Sequence, residues 1–526
     1  TTAPAASTQA PTETTAPAQT TAPSAGAALS VQPSVKVAGT TLKLTNYDQP
    51  IYTKNYSTDT VDTGDNAFVK WGQTKTDANE DNYNLKFVWN AGDAAPTLIL
   101  RGFKLDEWNN DTGLMGKNSS GSGLQTYALS TGSNTPLNII LTGEDSLLDC
   151  QFGITYNNDL TIKSEGDAKL VIRGQSSGVT SNKAAGFNLT VDANLDITIR
   201  SLYNTEFSAG CLMSNQGDII INGGTIKLTG NDPNKKNVNA IVARGEGADL
   251  IINGGKSGDP FVKPGENPDN ILLGTIKGGN SDNGAGGIHI QDGARVTLNN
   301  VNITENAVDD DDGAGIAAYD GAVLTMNGGS ISKNVLWCSF MSVANPCGAL
   351  YLNDATAYLN NVEIEGNISK GEDWAEGVAI YVDDSTLVAE NCTIRNNGNK
   401  NAKKDPWEVV SIHDSRVEFN NCLFEENGTK GDTGSPETIT MRGGTLIINK
   451  SIFRNNHSSD VIRCDDGLVQ VTETLFENNP GNVYDGAADE GSFYEKCTFT
   501  TNYQYDNYRT FIFDEGNKLD FIDCEF

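Results

Sequence analysis

Basic side chains are scarce: 37 Lys and Arg stand against 68 Asp and Glu in 526 residues, a formal net charge of −31. That deficit excludes nucleic-acid binding through a basic face, because neutralising phosphates needs a surplus of cations. No run approaches the ~18–20 apolar residues of a membrane-spanning helix, and only 37% of the residues are hydrophobic. Histidine is rarer still, with His289, His413 and His457 scattered along the chain. The nine cysteines form neither the dense grid of a disulfide-stapled small domain nor the CxxC pairs of a zinc site. No signal peptide opens the sequence, so a mature or trimmed chain is expected. What is abundant is glycine, at 55 residues, with frequent Asn, Asp and Thr, the composition of a turn-rich β protein. The carboxylate excess suits an extracellular setting, divalent cations or cationic surfaces.

Residues 1–30 are a Thr/Ala/Pro tract without hydrophobic period, expected to form an extended stalk or linker. Beyond it the dominant signal is internal repetition. An apolar residue recurs at Ile303, Ile331, Ile364, Ile394, Phe424, Phe453, Phe476, Phe499 and Phe526, in steps of 28, 33, 30, 30, 29, 23, 23 and 27. An Asn follows three positions later, at Asn306, Asn334, Asn367, Asn397, Asn427, Asn456, Asn479 and Asn502. Upstream of each apolar position lies an alternating strand such as LTM (324–326) or VEF (417–419). Before that comes a turn carrying Asp292, Asp320, Asp354, Asp384, Asp414, Gly443 or Asp466. A further strand precedes the turn, often opened by glycine, as at Gly287, Gly315, Gly348 and Gly377.

Units of this size with three short strands cannot bury their apolar faces alone. Stacked as coils ~4.8 Å apart they close a continuous core and pair each backbone group with the next coil. The reading is all-β: a right-handed parallel β-helix of about 15 coils at ~28 residues each, roughly 70 Å long. The domain boundaries follow: tract 1–30, an N-terminal β cap over 31–95, and the solenoid over 96–526. The recurrent Asn is expected to form a ladder between coils. Cys392, Cys422, Cys497 and Cys524 each precede the Ile/Phe by two residues, and are expected to stack as small buried hydrophobes.

With these phrases in view, a resemblance emerges. The first half, about 95–290, with DIIINGGTIKLTGN (218–231), resembles secreted clostridial β-helix proteins regarded as carbohydrate-binding. The second half, with its F-x-x-N phrases and glycine-opened strands, is similar to the repeats of polymorphic outer-membrane adhesins and other pectate-lyase-superfamily helices. The G-H-G phrase of pectin hydrolases is absent.

Four groups of residues are candidates for chemistry. Alternation puts Tyr351, Asn353, Tyr381, Asp383, Ser411, His413, Thr440, Arg442, Arg463 and Asp465 on an outer sheet face. Asp383, His413, Arg442 and Asp465 form the best constellation for a polysaccharide lyase, which needs a base and a cation that acidifies a proton beside a uronate carboxylate. The plain alternative is a solvated face of alternating charges. Asp309, Asp310, Asp311 and Asp312, ending at Gly313, offer oxygen ligands of the type calcium takes, against the alternative of a repelling solvated loop. Trp337, Trp374 and Trp407 follow the Asn of three successive coils and, with Tyr351 and Tyr381, could stack on sugar rings. Otherwise they fold back to cover the corner. Cys338 and Cys347 bracket one loop and could staple it as a disulfide in an oxidising compartment.

The final stretch, KLDFIDCEF, stops on the apolar position Phe526, which leaves an open coil edge. A fragment boundary, a covering loop, or head-to-tail pairing with another subunit into a filament would each account for it. The expectation is a non-catalytic, extracellular bacterial surface protein with a structural or adhesive role. A polysaccharide-binding module and a calcium-dependent lyase are the alternatives.

Overall fold

The computed structural model describes residues 27–526 except 38–39, 54–78, 82, 107–126, 133–134, 182–185, 200–208, 224–225, 231–237, 247, 254–272, 276–285, 310–311, 338–344, 347, 370–374, 399–407, 429–436 and 503–509. Among the described residues there is no helix long and apolar enough to cross a membrane. The tract 1–26 lies outside them.

Parallel pairing begins where Thr97–Arg101 meets Leu137–Thr142 and passes from coil to coil. One column of inward side chains traces it through fifteen residues: Leu98, Ile139, Ile162, Val191, Ile221, Ile252, Leu298, Met326, Leu359, Ala389, Phe419, Ile448, Val471, Tyr494 and Phe521. All are buried except Phe521, which is partly so. The architecture is therefore a parallel β-helix of about fifteen coils. Antiparallel strands close its N-terminal end: Ser34–Val37 pairs with Thr40–Lys43 and Tyr127–Thr131, and Leu85–Val88 pairs with Ile51–Thr53 and Thr97–Arg101.

Each regular coil turns three tight corners, and each corner holds a residue in the left-handed region. The first is at Asp292, Asp320, Asp354, Asp384 and Asp414, with φ between 41° and 57°. Asp tolerates this conformation better than most residues. The second corner falls at Asn361, Asn391 and Asn421, then at Lys450, Glu473 and Lys496. The third immediately precedes the ladder Asn, as at Lys333, Asn396 and Asn455. Lys and Glu are poor left-handed residues, yet Lys450 N donates to Thr472 O at 2.9 Å and Lys496 N to Ile522 O at 2.8 Å. Pairing with the next coil holds them there.

The recurrent Asn residues form the expected ladder. Nδ2 of Asn306, Asn334, Asn367, Asn397, Asn427, Asn456 and Asn479 donates to Oδ1 of the Asn one coil on, at 2.9–3.1 Å. Beside it Phe424, Phe453, Phe476 and Phe499 stack with centroids 4.4, 5.1 and 5.2 Å apart. Cys392, Cys422 and Cys497 are buried, and Cys524 is half-buried at the outermost coil. Their column also holds Ser451 and Thr474, the same small volume in other chemistry. The strand-opening glycines mark close approach of neighbouring coils: a Cβ on Gly315 would sit 2.7 Å from Ala349 O.

Candidate functional site

The first strand of each coil alternates core residues, such as Ile316 and Ala318 or Ile380 and Val382, with outward ones. Those outward residues are the ones singled out from the sequence. Tyr351 and Tyr381 face outward, but each is only 5% exposed, and their rings stack on one another at 5.1 Å and 4°. They belong to a continuous stack, His289–Tyr319–Tyr351–Tyr381–His413, with centroids 5.1–5.4 Å apart.

The cover comes from the loops after the Asn ladder. Ala307–Asp309, Val335–Trp337 and Ile368–Ser369 pair as a small parallel sheet, and Asn345–Pro346 pairs with Ala375–Glu376. Asp312 accepts a hydrogen bond from Tyr319 Oη at 3.2 Å, and Glu376 Oε2 lies 3.4 Å from His413 Nε2. The loops thus cross the outward face and bury the rings, whose faces are taken up by one another.

Between Phe453 and Phe499 the coil shortens to 23 residues, and the loops shrink to a few residues around His457 and Pro480. The outward face emerges there as a charged ledge. Arg442 stands at its edge: Nη1 donates to Glu408 Oε2 at 3.2 Å, Nη1 lies 3.6 Å from Glu376 Oε1, and Nε lies 3.7 Å from Asp465 Oδ2. Arg463 pairs with Asp465 at 2.9 Å and Glu437 at 3.4 Å. The Glu408 side chain is 1% exposed and that of Asp465 is 40%. Asp460, itself buried, accepts from Asn482 Nδ2 at 2.6 Å.

Burial dominates the electrostatics. It pushes the carboxyl of Glu437 up to about 7 and that of Asp485 up to about 6. It also raises Glu408, against the hydrogen bond from Arg442, and Asp460. Glu376 is buried too, but its contact with His413 and the charge of Arg442 outweigh burial and hold it below the ordinary carboxylate value.

Of the lyase candidates, His413, Arg442 and Asp465 come together on this ledge. Asp383 sits beside His413 in register and accepts from Asn353 Nδ2 at 3.1 Å. Burial raises its carboxyl despite His413. Glu376, Glu408, Glu437 and Asp460 escaped sequence reading. A signal was there: an acid two residues before an inward Val or Ile at 408, 437 and 460, spaced 29 and 23 like the neighbouring phenylalanines.

Ser411, His413 and Glu376 do not make a nucleophile–base–acid relay. Ser411 Oγ lies 3.0 Å from His413 Nε2, and Glu376 approaches that same nitrogen, whereas a relay needs the acid on Nδ1. Arg442 has its charge offset by three carboxylates within 3.7 Å.

Other candidates fall partly outside the described residues. Asp310, Asp311, Trp374, Trp407, Cys338 and Cys347 lie outside them, as do the side chains of Asp309 and Trp337. Among the described residues, no group of three or more His, Cys, Asp or Glu side chains is placed to hold a metal ion.

Residues 274–435 match the family model described as a right handed beta helix region. That match covers the ladder from Asn306 to Asn427 and the loop-covered face, and with the parallel register it makes the solenoid a right-handed parallel β-helix. No curated protein and no solved structure matches the chain.

Proposed function

We propose that the chain is a non-catalytic, extracellular bacterial surface protein whose solenoid serves as a rigid structural and adhesive rod. The observation that carries this reading is the state of the outward face. The side chains with catalytic potential are spent on one another, in ring stacks and in ion pairs around Arg442 and Arg463. An arginine flanked by Glu376, Glu408 and Asp465 has no free positive potential with which to acidify a uronate proton or attract a polyuronate. The net charge of −31 opposes the approach of such a substrate as well.

The test is incubation with acidic polysaccharides, with and without calcium, followed by ultraviolet absorbance for unsaturated products. Negative-stain microscopy and binding of labelled protein to bacterial and host surfaces accompany it. Rods that adhere without changing any polysaccharide support the reading. Unsaturated products that vanish in Arg442→Ala would replace it with a lyase.

A further inference from the structure

The ledge carries more negative charge than its own cations balance. Glu408 pairs with Glu437 in register, and Glu437 and Asp460 each stand two residues before the paired Ile439 and Ile462, so the three acids lie on successive coils spaced ~4.8 Å. Glu376, Asp465 and Asp485 adjoin them, against the guanidinium groups of Arg442 and Arg463. Like charges this close, in a partly desolvated site, cannot all stay ionised unless a further cation joins them. A metal ion does not suit, because no three acidic or histidine groups converge among the described residues.

We propose that the Glu408–Glu437–Asp460 column is a proton-binding site that makes the solenoid more stable in mildly acidic medium than at alkaline pH.

Glu437 is the group that titrates first on this reading. It is faced by Glu408 from the coil before, and by Asp460 and Arg463 from the coil after. Arg442 stands on its own strand, held by Glu408 and Glu376, with His413 beside it. Asp485, one coil further, is faced by Asp460, Arg463, Asp465 and Asp514.

The sign follows from linkage. Glu437 at about 7 and Asp485 at about 6 hold their protons more tightly in the folded chain than ordinary carboxyls do. The folded state therefore binds more protons than the unfolded chain, and stability grows as pH falls through 7 toward the ordinary carboxylate range. Several groups act oppositely. Glu376 and Glu80, both depressed, cost stability only below their ordinary range, Cys392 does so below the ordinary thiol value, and burial keeps His289 neutral, which costs stability as pH falls below its ordinary value. A comparison of variants cancels them.

The experiment is calorimetric melting of the full chain at pH 5.5, 6.5, 7.5 and 8.5 at constant ionic strength, for the wild type, Glu437→Gln and the exposed control Glu390→Gln. Glu437→Gln is expected to melt higher than wild type at pH 8.5, with the gap closing by pH 5.5. In linkage terms the variant folds with about one proton fewer taken up. Glu390→Gln is expected to run parallel to the wild type. Parallel curves for Glu437→Gln and wild type overturn the proposal, as does a control that behaves like Glu437→Gln. If Glu437→Gln does not fold, hydrogen exchange of the wild type decides. After correction for intrinsic pH dependence, Glu437–Asn449 should gain protection relative to Leu137–Thr142 as pH falls; equal changes overturn the proposal.

Discussion

Asn397 donates twice to Oδ1 of Asn427, from its backbone N at 3.2 Å and from Nδ2 at 3.1 Å, while the same Nδ2 also donates to Ile364 O at 2.8 Å. Its own Oδ1 accepts the equivalent pair from Asn367. Both residues are fully buried, so every polar atom of the amide is satisfied by the stacking of coils.

Asn397→Ala strands the backbone N and one Nδ2 hydrogen of Asn367 and removes the donation to Ile364 O, while Asn427 Oδ1 keeps the bond from the backbone N of position 397. At about 1–3 kcal/mol per buried group left unpaired, a loss of several kcal/mol is expected. A lowered melting temperature checks it, and Asn397→Asp should be no milder, because a carboxylate cannot replace the two amide donations.

The cysteine column predicts the contrary behaviour. Cys422 Sγ lies 3.5 Å from Ala389 O, and in the following coil Ser451 Oγ lies 3.3 Å from Phe419 O. Cys422→Ser is therefore expected to change stability by no more than about 1 kcal/mol. A thiol reagent should leave Cys392, Cys422 and Cys497 unmodified in the native chain and label them after denaturation.

At the second corner Lys450 has φ 51°. A left-handed conformation costs a non-glycine residue roughly 1–2 kcal/mol, and glycine gives part of that back as unfolded-state entropy. Lys450→Gly is expected to gain up to roughly 1 kcal/mol in denaturant unfolding, whereas Lys450→Val should lose stability.

Removal of Arg442 leaves Glu408, 1% exposed, without its bidentate partner. Arg442→Ala is expected to lose about 3–5 kcal/mol, the usual consequence of breaking a buried ion pair from one side. Adding Glu408→Gln to it should recover part of the loss, read as a higher melting temperature for the double variant.

The periodic parts of the molecule were legible in the sequence. The spacing of Ile303 through Phe499 fixes the phase of the coils, and Asn three positions later marks the ladder, because identical local units stack in identical environments. The Asp corners were legible for the same reason, since Asp384 and its counterparts carry their own left-handed preference. The corners at Lys450, Glu473 and Lys496 were not, because there the next coil's hydrogen bonds override residue preference. Alternation also set the direction of Tyr351 and Tyr381, but their exposure depended on loops of unequal length whose paths repeat no pattern. The ledge was decided in the same way. Glu376 meets Arg442 across 66 positions of sequence only because one loop folds back over the sheet, and the loops after Asn456 and Asn479 are too short to follow it. Contacts set by a period are written in each unit, whereas contacts set by where the period is interrupted exist only once the coils are stacked.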